Sequence, residues 1–77
     1  MRANRSYRLL HTRSNRRPAR LDRSRIDHLE VVEVASGETV LFWDLPAPDA
    51  ARQARRLRED LAGLDEVAFL ERWGESH

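Results

Sequence analysis

Seventy-seven residues make at most one domain, and a chain this short buries only a modest share of its surface. The absence of cysteine excludes a disulfide framework and a thiolate metal site, and no apolar run approaches the ~18 residues of a membrane span. The net charge of +1 conceals a division: residues 1–25 hold nine arginines against one acid, net +8, and residues 26–77 hold five arginines against twelve acids, net −7.

This division splits the chain into a basic arm, 1–25, and an acidic ββαα core, 26–77. A basic arm of this kind either meets nucleic acid or folds back on the acidic body. The chain contains no lysine. Uniform use of arginine is what a GC-rich coding bias produces, so it does not by itself argue for bidentate anion recognition.

Residues 1–25 admit two readings. The charge, the polar run SNRRPARLDRSR and its single proline favour a solvated arm held extended by self-repulsion. Against this, Tyr7, Leu9 and His11 alternate with Arg8 and Leu10, which fits a short third strand over residues 6–12.

Residues 29–43, LEVVEVASGETVLFW, read as a β-hairpin. The turn Val34-Ala35-Ser36-Gly37-Glu38 has the form of a type I turn with Gly37 in the left-handed region, a G1 bulge that sets Val34 opposite Glu38. One face then pairs Leu29 with Trp43, Val31 with Leu41 and Glu33 with Thr39. The other pairs His28 with Asp44, Glu30 with Phe42 and Val32 with Val40. The first face is the core face. On the second, Val32, Val40 and Phe42 form an apolar island among charged residues.

Pro46 and Pro48 end the second strand, and Pro48 and Asp49 suit the first turn of a helix over 48–62. Ala50, Ala54, Leu57, Leu61 and Leu64 recur at helical spacing and make one apolar stripe. Arg55 with Glu59 and Arg56 with Asp60 stand at i,i+4 spacing. Gly63 is placed to close this helix. Asp65 is placed to cap a short second one, 66–73, with Val67, Leu70 and Trp73 on its inner side and Phe69 beside them. The expected fold is therefore α+β: an antiparallel hairpin, three-stranded if residues 6–12 join it, with both helices on one face.

No catalytic constellation emerges. His11, His28 and His77 lack metal-ligand spacing, and the three glycines sit at a turn and at helix ends rather than in a phosphate loop. A cross-strand His28–Asp44 pair resembles an acid–base dyad in composition, but at a hairpin base such a pair is ordinarily structural. The sequence thus points to a non-enzymatic protein with no cofactor, metal or small-molecule substrate. Lacking a secretory apolar segment and cysteine, it points to the cytoplasm.

Two functions follow from the surface. The first is protein–protein interaction or regulation, including self-association as a homodimer, through Val32, Val40 and Phe42 with Trp73 as a second contact. The second is nucleic-acid association, with Arg5, Arg8, Arg13, Arg16, Arg17 and Arg20 on phosphates.

Overall fold

A computed structural model describes residues 1–13 and 25–74. Of the loop expected over 12–25, Thr12 and Arg13 belong to a strand and residues 14–24, with Arg16, Arg17 and Arg20, lie outside the described residues, as do residues 75–77. The elements are α1 (Ala3–Ser6), β1 (Tyr7–Arg13), β2 (Ile26–Glu33), β3 (Thr39–Pro46), α2 (Ala47–Gly63) and α3 (Glu66–Gly74). The strands form one antiparallel sheet in the order β1-β2-β3. No helix among the described residues is long and apolar enough to cross a membrane.

The third strand therefore exists, displaced by one residue from the expected 6–12. Its register sets Leu9 against Val31 and His11 against Leu29 on the helix side, and Arg8 against Val32, Leu10 against Glu30 and Thr12 against His28 on the other. Strand alternation does the sorting: Tyr7 is buried, Leu9 and His11 are half-buried, and Arg8, Leu10 and Thr12 are exposed.

The hairpin turn differs from expectation. Gly37 has φ +75°, the left-handed conformation that glycine adopts without steric cost. The loop, however, spans four residues. Glu33 N donates to Glu38 O at 2.8 Å, and Gly37 N donates to Glu33 O at 2.8 Å. Val34 cannot pair with Glu38 because its N–H is already given to Ser6 O, at 2.9 Å, just before β1. Ser36 knits the wider loop, accepting from Glu38 N at 3.2 Å and donating to Glu33 Oε1 at 2.8 Å.

Val32 consequently faces Thr39, not Val40, and Glu33 does not pair with Thr39. The register then shifts between Val31 and Val32, with Val40 as the extra residue. Beyond this bulge Val31–Leu41, Glu30–Phe42, Leu29–Trp43 and His28–Asp44 pair as expected, because the two one-residue offsets cancel.

The core lies between the sheet and the helices. Leu29, Val31, Leu57 and Phe69 are fully buried, and Ala50 and Ala54 bring the first half of α2 close to the strands. Each large apolar side chain buried this way contributes roughly 1.5–3 kcal/mol relative to leaving it exposed. In α3 the inner side is Phe69 and Trp73, with Leu70 packed alongside, whereas Val67 is 61% exposed. The expected Val67–Leu70–Trp73 line is thus rotated. The aromatics at i,i+4 bury far more apolar area than valine, and Phe69 stacks on Tyr7 with ring centroids 6.0 Å apart.

The N-terminus closes α2. The helix runs through Gly63, which does not adopt a left-handed conformation, and the chain turns extended at Leu64. Arg2 Nη1 donates to Gly63 O at 2.6 Å and Ala3 N to Leu64 O at 2.9 Å, so a cation and an amide satisfy the helix end instead. Asp65 caps α3 as expected, its Oδ1 accepting from Ala68 N at 2.8 Å. At the start of α2, Ala47 N donates to Arg25 O at 2.8 Å, which ties the helix to the start of β2.

The expected ion pairs Arg55–Glu59 and Arg56–Asp60 do not form among the described residues. Asp60 Oδ2 instead accepts from Trp73 Nε1 at 2.9 Å and lies 3.5 Å from Arg72 Nε. Arg52 pairs with Asp49 one turn earlier.

Candidate interaction surface

α2 and α3 pack on one face of the sheet, and among the described residues no element covers the other, the open face. It carries Arg8, Leu10 and Thr12 from β1, Ile26, His28, Glu30 and Val32 from β2, and Thr39, Phe42 and Asp44 from β3, with Val40 at the bulge. Four of its apolar residues are substantially accessible: Leu10 at 40%, Ile26 at 39%, Val40 at 37% and Phe42 at 44%. An antiparallel sheet facing water ordinarily alternates apolar-in and polar-out. Here each strand also places large apolar residues outward.

The polar groups on this face are organised locally. His28 Nδ1 bonds Asp44 Oδ1, and the imidazole stacks on Phe42 at a centroid distance of 5.9 Å. Thr39 Oγ1 donates to Glu30 Oε2. The His28–Asp44 pair is exposed and leans on an aromatic neighbour, which is the arrangement of a cross-strand contact. Among the described residues no third side chain joins this pair by a hydrogen bond.

Of the residues singled out from sequence, Val32, Val40 and Phe42 share this surface. Trp73 does not. It is 8% exposed on the helix side, edge-on to Trp43 at 5.8 Å and bonded to Asp60. Arg5 lies on α1, while Arg8 and Arg13 point to opposite faces of β1 by strand alternation and stand about 17 Å apart along it. Arg8 and Arg13 therefore do not share a face.

Sequence reasoning missed Leu10 and Ile26 as members of this face, and it missed a buried ionic cluster beneath it. Asp27 is fully buried and Arg25 is 5% exposed. Arg25 Nε donates to Asp27 Oδ1 at 2.8 Å and Arg25 Nη2 to Oδ2 at 3.1 Å. His11 Nε2 lies 2.8 Å from the same Oδ2 and must be the donor, since a carboxylate only accepts. Burial alone raises the Asp27 pKa. The hydrogen bonds from Arg25 and His11, with their charges, outweigh it and hold the carboxyl below the ordinary value of an aspartate.

The signal for this cluster was present in the alternation. Position 27 shares its parity with Leu29 and Val31, so a strand through Ile26–Glu33 aims Asp27 inward, where a carboxylate needs partners. Among the described residues no group of three or more His, Cys, Asp or Glu side chains is placed to hold a metal ion.

No protein-family model matches the chain, and neither the curated proteins nor the solved structures contain a match to it.

Proposed function

We propose that this protein is a small non-enzymatic interaction module that self-associates through the open face of its sheet. The observation that carries the reading is the one-sided helix packing, which leaves Leu10, Ile26, Val40 and Phe42 on the uncovered face. Large apolar residues turned outward from all three strands of so small a protein support an interaction surface.

A second copy is the occupant this face fits. Its charged groups are Arg8, Glu30 and Asp44, with His28, so both signs are represented and the net charge is small. A copy of the same face meets little repulsion, and a two-fold contact buries the apolar residues of both partners at once. Among the described residues this face offers a nucleic-acid backbone no concentration of cations. The alternative, phosphate binding by Arg5, Arg8, Arg13, Arg16, Arg17 and Arg20, draws less support from the described residues, where Arg8 and Arg13 face opposite sides of β1.

Light scattering on the wild type at ~100 µM, compared with Phe42→Glu, tests the reading. The expected result is a dimer for the wild type and a monomer with an unchanged circular dichroism spectrum for Phe42→Glu. A monomeric wild type at that concentration overturns it.

A further inference from the structure

On the helix side of β3 lies a cleft of about 390 Å³ lined by Trp43, Gln53, Arg56, Arg72 and Trp73. Its size falls within the ~300–1,000 Å³ of ordinary small-ligand sites. Its lining combines two kinds of group. Two indoles, set edge-on to each other, supply flat apolar surface. Two guanidiniums and a carboxamide supply hydrogen-bond donors, and among the described residues no carboxylate lines the cleft.

The donors are unevenly engaged. Arg56 makes no ion pair among the described residues, and Arg72 has only the 3.5 Å approach to Asp60, itself already bonded by Trp73 Nε1 at 2.9 Å. Gln53 Nε2 is buried with no hydrogen-bond partner. A buried amide nitrogen without an acceptor is costly, and an acceptor arriving in the cleft relieves that cost. Two arginines from different helices, α2 and α3, also stand at this one opening, where both can reach the same oxyanion.

We infer that this cleft binds a small organic anion, with a planar ring against the indoles and a carboxylate or phosphate held by Arg56 and Arg72. Guanidinium forks match both oxyanions, and such charge-assisted bonds are about twice as strong as neutral ones. Gln53 supplies a further donor to the anion or to a polar atom of the ring. The site lies on the helix side of the sheet, so it stands independently of self-association through the open face.

The chain's two tryptophans are Trp43 and Trp73, so intrinsic emission reports on this cleft directly. Phenyl phosphate and benzoate are titrated as ring-bearing anions, with inorganic phosphate and benzyl alcohol as anion-only and ring-only controls. The expected result is a saturable change in emission with at least one ring-bearing anion, with a Kd of ~1 mM or tighter, and weaker binding of both controls. Saturation by phenyl phosphate alone assigns a phosphate ligand, and by benzoate alone a carboxylate. Arg56→Gln and Arg72→Gln should each weaken binding about ten-fold, whereas Arg55→Gln on the same helix but outside the lining should not. The absence of a saturable change with either ring-bearing anion overturns the inference. So does unchanged affinity in both Arg56→Gln and Arg72→Gln, with thermal melting confirming that the variants are folded.

Discussion

Replacing Asp27 with alanine removes a fully buried carboxylate and takes from Arg25, only 5% exposed, the acid its guanidinium is bonded to. The bonds lost are those from Arg25 Nε at 2.8 Å, Arg25 Nη2 at 3.1 Å and His11 Nε2 at 2.8 Å. Breaking a buried pair from one side costs about 3–5 kcal/mol. A chain of this length has a total stability of roughly 4–12 kcal/mol, so Asp27→Ala should remove a large part of it. Urea denaturation followed by circular dichroism measures this as a fall in the midpoint of about 2–4 M.

A double variant, Arg25→Met with Asp27→Leu, removes both charges and should cost less than Asp27→Ala alone, because no buried charge is stranded. A loss below ~1 kcal/mol in Asp27→Ala, or a double variant less stable than the single, would refute the reasoning. The pH dependence has a definite sign. A carboxyl held below its ordinary value contributes stability that is fully present above the unfolded value of ~3.9 and is lost as the pH falls through the lower folded one. Wild-type stability should therefore fall more steeply below about pH 4 than that of Asp27→Asn.

Phe69→Ala should cost about 3–5 kcal/mol by chemical denaturation, since the ring is fully buried against Tyr7 and Trp73, whereas Val67→Ala, on the exposed side of the same helix, should stay within ~0.5 kcal/mol. Equal losses would mean that α3 is rotated from the orientation described. Gly37→Ala forces a side chain into the left-handed region and should cost about 1 kcal/mol in the same assay, although the space around Gly37 is open. A neutral result would place the strain outside the backbone.

The elements were legible in the sequence wherever periodicity and a burial face agreed. The stripe Ala50–Ala54–Leu57–Leu61 located α2, and alternation from Leu29 to Trp43 located the central pairs of the hairpin. The turn was misjudged by one residue because its geometry is set from outside the hairpin. Ser6 O takes the Val34 N–H that a tighter turn needs. No local pattern around Gly37 carries that information.

For the same reason Gly63 was assigned a capping role that Arg2 and Ala3 perform from the far end of the chain. In α3, spacing alone did not decide between Val67 and Phe69. The larger buried area of an aromatic pair did. The open face was half visible: Val32, Val40 and Phe42 followed from hairpin alternation, while Leu10 joined them only once β1 paired with β2. Asp27 was legible as an inward-facing acid but not its partners, since His11 reaches it across a strand register that sequence does not specify.

Whether a second copy covers the open sheet face is decided by a mixed-label experiment. The chain has no cysteine, so Thr12→Cys carries a single nitroxide on the open face without competing sites. This labelled protein is mixed with nitrogen-15-labelled wild type, and only intermolecular broadening is observed. Amides of Leu10, Glu30 and Phe42 should broaden strongly and those of Val67 and Glu71 on the helix side far less. Absence of broadening, or broadening centred on α3, would contradict self-association through the open face.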